Sequence, residues 1–280
     1  MTIAIGFEFN EGVLFCADTK ITTDIKTNES KITTCWYGNK GESCACVSVF
    51  TLAGNLPYAR AAIEECEHAI AALDFKDGTT VSLDGVQNAI RSALTKFYRR
   101  YIYPQGDSRP DFQLLIGLSL WGKTRILSTY EATMREVTGG FQCLGAGAYL
   151  AQHYIKQFMP TGDEFNREKV TLTEVRLIAE WVLDRLMEYD ESCGGSAEFM
   201  VLQHNGEIGD LSGPVWIRPD LVRDLQSATW GFLRRLSLVG DRDGVELAVE
   251  AFERDVRSIG ESHVGWWEHI ESIRKTRQGD

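Results

Sequence analysis

Thr2, Asp18, Lys31, Gly54 and Asp190 are residue types that can together activate a hydroxyl for attack on a carbonyl. Thr2 follows Met1, and a small second residue favours removal of the initiator. A threonine exposed that way carries a nucleophilic hydroxyl and a free α-amine on one residue, and so gains a general base without a histidine. Asp18 ends the apolar run Val13-Leu14-Phe15-Cys16-Ala17, where an unpaired carboxylate is costly. Lys31 opens the next strand-like stretch and is its natural partner. Such a pair reads in two ways. It is an ion pair that only fixes register, or it holds a lysine beside the Thr2 hydroxyl, lowering the hydroxyl's pKa and relaying its proton. Gly54 is the glycine of a strand-to-helix turn or a backbone donor to a developing oxyanion. Asp190 and the turn Cys193-Gly194-Gly195 close a long helix, as a surface cap or as part of the same constellation.

Other chemistry finds less support. Gly145-Ala146-Gly147 lies between a strand and a helix, but Leu150 stands where a dinucleotide fingerprint has its third glycine. The histidines at 68, 153, 204, 263 and 269 have no HxxxH spacing, so no metal site is expected. No GxSxG elbow occurs. The seven cysteines are odd in number and irregularly spaced, which suits buried thiols better than a disulfide framework or a zinc site.

The elements that must position these residues follow from periodicity. Ile3, Ile5, Phe7 and Phe9 alternate with small or polar residues, and Asn10-Glu11-Gly12 turns the chain into the buried strand 13–17. The polar segment 22–30 reads as a loop, and 31–36 and 45–52 read as strands. Asn55 caps a helix with Pro57 in its first turn and apolar residues from Tyr58 to Leu73 on one face; a second helix spans about 83–101. A second β block covers 112–118, 125–129 and 142–144, followed by helices at about 148–159 and 172–189 and strands at 197–203 and 207–211. This order predicts two packed sheets between helix layers. Beyond Pro214 the chain becomes helical and charged, with no long linker before it, and reads as an appended extension.

Length and composition bound the class. The 280 residues are 44% hydrophobic, enough for a sizeable core. A net charge of -11 without a long basic cluster argues against nucleic acid. No secretory signal or apolar run of membrane-spanning length is evident, so a cytoplasmic protein without a membrane partner is expected.

Taken together, these residues resemble a proteasome β-type subunit of the N-terminal-nucleophile hydrolase superfamily. The resemblance covers roughly 2–211 and rests on Thr2 to Phe7, Gly12 to Lys20, Ser30-Lys31-Ile32, Thr51-Leu52-Ala53-Gly54, Leu144 to Gly147 and Asp190 to Gly195. It implies an α+β fold, a four-layer αββα sandwich over residues 1–213, with a helical C-terminal extension over 214–280. Thr2 matches the nucleophile, Asp18 and Lys31 the residues that activate it, Gly54 the oxyanion glycine, and Asp190 the aspartate of the amine network. Ala146 and Cys193 stand where the family carries serines; the second exchange replaces a hydroxyl with a weaker donor. Ile21, Leu52 and Leu56 fall where the family builds its first specificity pocket, implying apolar preference. The direct Met1-Thr2 start is similar to bacterial proteasome-related proteases, among them an ATPase-partnered heat-shock protease and an ancestral-type β-subunit. The resemblance implies a threonine-type endopeptidase acting on polypeptides without a cofactor, self-associated as a ring or helix, with an ATPase unfoldase as a further partner. The competing readings are an inactive structural subunit and an amidase acting on a small molecule.

Overall fold

The computed structural model describes residues 3–22, 26–38, 45–75, 81–159, 162–190, 193–212 and 242–262, with a few positions between 224 and 235. The chain divides into two compact units, Met1–Pro214 and Val215–Asp280.

In the first unit, β1 (Ile3–Phe9) and β2 (Gly12–Asp18) form an antiparallel hairpin in which Ala4 faces Ala17 and Phe9 faces Gly12. All seven residues of β2 are buried, as its unbroken apolar run requires of a strand covered on both faces. β10 (Phe141–Gly145), β11 (Ala197–Gln203) and β12 (Ile208–Asp210) complete an antiparallel sheet in the order β10-β1-β2-β11-β12. A second antiparallel sheet runs β5-β6-β7-β8-β9, from Ile32–Tyr37, Cys46–Gly54, Phe112–Leu120, Lys123–Tyr130 and Thr133–Glu136. Among the described residues, β3 (Lys20–Thr22) and β4 (Lys26–Asn28) form a two-stranded antiparallel ribbon of their own.

Alternation along β6 divides the core. Cys46, Phe50 and Leu52 face a cluster shared with α1 (Leu56–Ala71) and α2 (Leu83–Phe97), whereas Val47, Val49 and Ala53 join Ala4, Val13, Phe15, Ala17 and Leu115 between the sheets. Truncating a buried aromatic such as Phe15 to alanine costs about 3–5 kcal/mol at sites of this kind. α1 starts where the Asn55 side chain accepts the Tyr58 N–H, with Pro57 in the first turn. α2 is capped by Ser82 and runs into a π-helical turn, Tyr98–Ile102. α3 (Ala148–Ile155) is short, and α4 (Leu172–Tyr189) opens on a capping box of Thr171 and Glu174 and packs against β1 and β2.

The expected four-layer αββα sandwich is corrected by this arrangement. The fold is α+β, with two antiparallel five-stranded sheets, a separate two-stranded ribbon and five α-helices among the described residues. The successive β blocks of the sequence do not become layers: β10, β11 and β12 return to the β1-β2 sheet, while β7, β8 and β9 extend the sheet begun by β5 and β6. The segment read as a loop at 22–30 contains β4, whose Lys-Thr-Asn sequence has no apolar alternation to announce it.

In the second unit, α5 (Arg242–Ser262) carries Phe252, stacked on Phe232 at 4.8 Å, and Asp255, paired with Arg235 at 3.2 Å. No helix among the described residues is long and apolar enough to cross a membrane.

Candidate functional site

The site is built where β2 ends. Asp18 is fully buried, and its Oδ1 accepts the Lys31 ammonium at 2.7 Å and the main-chain N–H of Ile3 at 2.9 Å. Its Oδ2 accepts the N–H of Gly194 at 3.1 Å. One carboxylate thus holds the start of β1, the residue that opens β5, and the turn after α4. Thr2 itself lies outside the described residues, but Ile3, its neighbour in the chain, is fixed by this bond.

Lys31 is 2% exposed and also donates from Nζ to the Lys20 carbonyl at 2.7 Å. Its carbonyl accepts the Leu52 N–H at 3.2 Å, two residues before Gly54 on β6. Burial pulls the Lys31 pKa below its ordinary value; the hydrogen bond and charge of Asp18 oppose that, with smaller help from Cys193 and Glu198. A buried pair of this kind stabilises little net, because desolvation consumes much of the attraction, but breaking it is expensive. Gly54 closes β6 with φ of 95°, and a Cβ there would lie 2.5 Å from the Asp111 carbonyl oxygen. Only glycine meets both demands.

Asp190 caps α4 and its carbonyl accepts the Cys193 N–H at 2.9 Å. Cys193 is 2% exposed. Its Sγ and the Ile3 side chain crowd Gly147, at 3.2 and 3.6 Å from where a Cβ would sit. The motifs at 145–147 and 193–195 therefore meet at Ile3. Ala146 is exposed and has no hydroxyl to offer.

Asp18, Lys31 and the 193–194 turn are brought into direct contact, and Gly54 is tied to them through β6. The three residues assigned to an apolar pocket are not gathered in the same way. Leu52 is 2% exposed inside the core under α1, Leu56 packs half-buried against that core, and Ile21 lies on β3 outside it.

Sequence reasoning missed two contributors. Glu198 on β11 accepts the Lys31 main-chain N–H at 3.2 Å. The Thr19 hydroxyl accepts the Ser196 N–H at 2.8 Å and meets the Ser196 hydroxyl at 3.1 Å, which locks the glycine turn against the end of β2. Their signal was the polar spacing Ser196-x-Glu198 directly after Gly194-Gly195. Among the described residues no group of three or more His, Cys, Asp or Glu could hold a metal ion.

The same backbone frame occurs in solved structures. It is the fold of the Anbu proteins. The chain superposes on an Anbu (Gly-1) mutant from Hyphomicrobium sp. strain MC1 with a TM-score of 0.62 and 17% identity, over 86% of this chain and 99% of that one. An Anbu helical assembly from Pseudomonas aeruginosa gives 0.61 and 14%, over 86% and 98%. Anbu (ancestral beta-subunit) from Yersinia bercovieri gives 0.61 and 13%, over 86% and 98%. No protein-family model matches the chain, and no curated protein matches it in sequence. The resemblance to a proteasome β-type subunit is corrected accordingly. What the chain shares with the Anbu structures is their fold, and its strand-rich α+β architecture is not a clear match to an ordinary proteasome β-subunit.

Proposed function

We propose that this chain is an N-terminal-threonine amide hydrolase that cleaves peptide bonds. The observation that carries the proposal is the buried Asp18–Lys31 pair, whose carboxylate also holds the N–H of Ile3, the residue after Thr2. Removal of Met1 gives Thr2 a free α-amine. The Thr2 hydroxyl oxygen then attacks the carbonyl carbon while its proton passes to the α-amine, and the Lys31 ammonium favours the developing alkoxide. The Gly54 N–H receives the oxyanion. Collapse expels the amine, which takes the proton and leaves an ester on Thr2. Water hydrolyses that ester, releasing the acid and restoring the hydroxyl. Asp190 and Cys193 support the amine through the turn they close. Of the three residues assigned to an apolar pocket, Ile21 on β3 is the one this reading keeps beside the substrate, since Leu52 and Leu56 pack into the core under α1.

In this reading residues 1–213 carry the chemistry and 214–280 form a helical extension. Self-association into a ring or helix is part of the proposal, supported by the helical assembly of the Pseudomonas aeruginosa Anbu complex. A silent member of the same fold is the second reading, favoured by Ala146, which gives the amine no hydroxyl.

Intact-mass measurement followed by assay of wild type and Thr2→Ala on peptide and small-amide panels tests both. The expected result is a mature start at Thr2 and turnover of peptides by wild type only. Retained Met1, or equal turnover by the two proteins, overturns the proposal. Turnover confined to small amides moves it from peptidase to amidase.

A further inference from the structure

Glu198 stands on β11 opposite Ala17, beside the Ala197–Asp18 pair. β11 and β2 belong to one sheet, while Lys31 leads into β5 of the other. Lys31 is therefore tied across the two sheets twice, by its ammonium to Asp18 at 2.7 Å and by its main-chain N–H to Glu198 at 3.2 Å. Among the described residues, Asp18 accepts from Lys31, Ile3 and Gly194. A neutral amide oxygen would satisfy one N–H as well, so the half-buried carboxylate at this position adds a charge beside the lysine that the hydrogen bond alone does not need.

Building on the hydrolase reading, we infer that Glu198 is a positioning residue for Lys31, fixing its main chain and placing a second negative charge behind its ammonium. The groups that face the lysine are Asp18 from β2, the Lys20 carbonyl from β3, Cys193 from the turn after α4, and Glu198 from β11. Burial opposes the charged form, and the acidic groups restore it, Asp18 most strongly. Glu198 holds the backbone so that the Lys31 side chain leaves at the angle that reaches Asp18 and Lys20.

Two substitutions separate charge from anchoring. Glu198→Gln keeps an oxygen for the Lys31 N–H and removes the charge; Glu198→Ala removes both. The Lys31 side chain is titrated by NMR in a Thr2→Ala protein carrying 13C-labelled lysine, its resonance assigned by loss in Lys31→Arg. In Glu198→Gln the lysine is expected to titrate at lower pH than in the parent, at unchanged thermal stability. In proteins that retain Thr2, the alkaline limb of kcat/KM moves to lower pH in the same variant. Glu198→Ala is expected to lower kcat roughly tenfold with little change in KM, because a small misplacement of a catalytic group is costly. An unshifted Lys31 titration in Glu198→Gln overturns the inference, whatever Glu198→Ala does to folding. A shifted titration in a protein that hydrolyses nothing leaves the assignment of Glu198 standing and defeats the hydrolase reading alone.

Discussion

The two ends of β2 each hold a cation, half-buried at one end and buried at the other, and they use it differently. At Gly12 the cation is Arg167, whose Nε donates to the Phe9 carbonyl at 2.8 Å and whose NH2 donates to the Gly12 carbonyl at 2.9 Å and the Thr124 hydroxyl at 2.6 Å. At Asp18 the cation is Lys31, paired with a carboxylate that also gathers main-chain N–H groups from two other segments. A planar guanidinium spread over carbonyls and a hydroxyl fixes a turn and keeps its own charge at any ordinary pH. A lysine in a buried carboxylate site has its charge state set by its neighbours, which suits proton transfer. In the proposed reading, the fold keeps its fastening and its chemistry at opposite ends of one strand.

Breaking the Asp18 end should have the largest effect. Asp18→Asn leaves the Lys31 ammonium buried beside a neutral amide, and the expected loss is about 3–5 kcal/mol, the usual result of removing one partner of a buried pair. Urea denaturation reads the stability, and peptide turnover should vanish in the same variant. Lys31→Met should abolish turnover with a smaller loss of stability, because the Asp18 carboxylate keeps the Ile3 and Gly194 donors. If Lys31→Met retained wild-type turnover, the chemical role given to this end of the strand would be wrong.

Arg167→Met probes the other end. It leaves the Phe9 and Gly12 carbonyls without their guanidinium donor and should cost about 1–3 kcal/mol, the penalty of one orphaned buried group, because Arg167 is only half-buried. At a temperature where the variant remains folded, kcat/KM should be unchanged. A fall in turnover matching that of Asp18→Asn would show that the ends are not separate.

That Asp18 and Lys31 would pair was legible in the sequence, because these parts of the candidate site carry local signals. A carboxylate after five apolar residues demands a partner, and Gly54 precedes a helix announced by Asn55 and Pro57. The opposite end was not legible. Arg167 reaches main-chain carbonyls 155 and 158 residues away in sequence, and carbonyls carry no side-chain signature. Glu198 was missed for the same reason, since its partner is a backbone N–H. Leu52 shows a different limit. Its motif placed it near Gly54 correctly, but strand alternation turns its side chain into the helix-covered core. Layering failed because sequence order says which stretches are strands and not which sheet each one joins.

The smallest effect expected is a pH dependence at the Gly12 end. His204 Nδ1 meets the Thr124 hydroxyl at 2.9 Å, and Nε2 meets the Asn10 carbonyl at 3.1 Å. The Asn10 carbonyl can only accept, so Nε2 carries a hydrogen and donates to it; in the neutral ring Nδ1 then accepts from the Thr124 hydroxyl, which also takes the Arg167 donor. Burial and the Arg167 charge lower the His204 pKa from its ordinary 6.5, while the Asn10 carbonyl and Glu11 oppose the shift. With the folded value below the unfolded one, the unfolded chain takes up a proton first as the pH falls. The His204 contribution is therefore complete above pH 6.5 and is lost on acidification toward the folded value. Thermal unfolding of wild type and His204→Asn between pH 7.5 and pH 5 should show a shallower acid decline in the variant. Superimposable declines would mean that the Gly12 end is held by Arg167 without a titratable contribution from His204, which would sharpen the contrast between the two ends of β2.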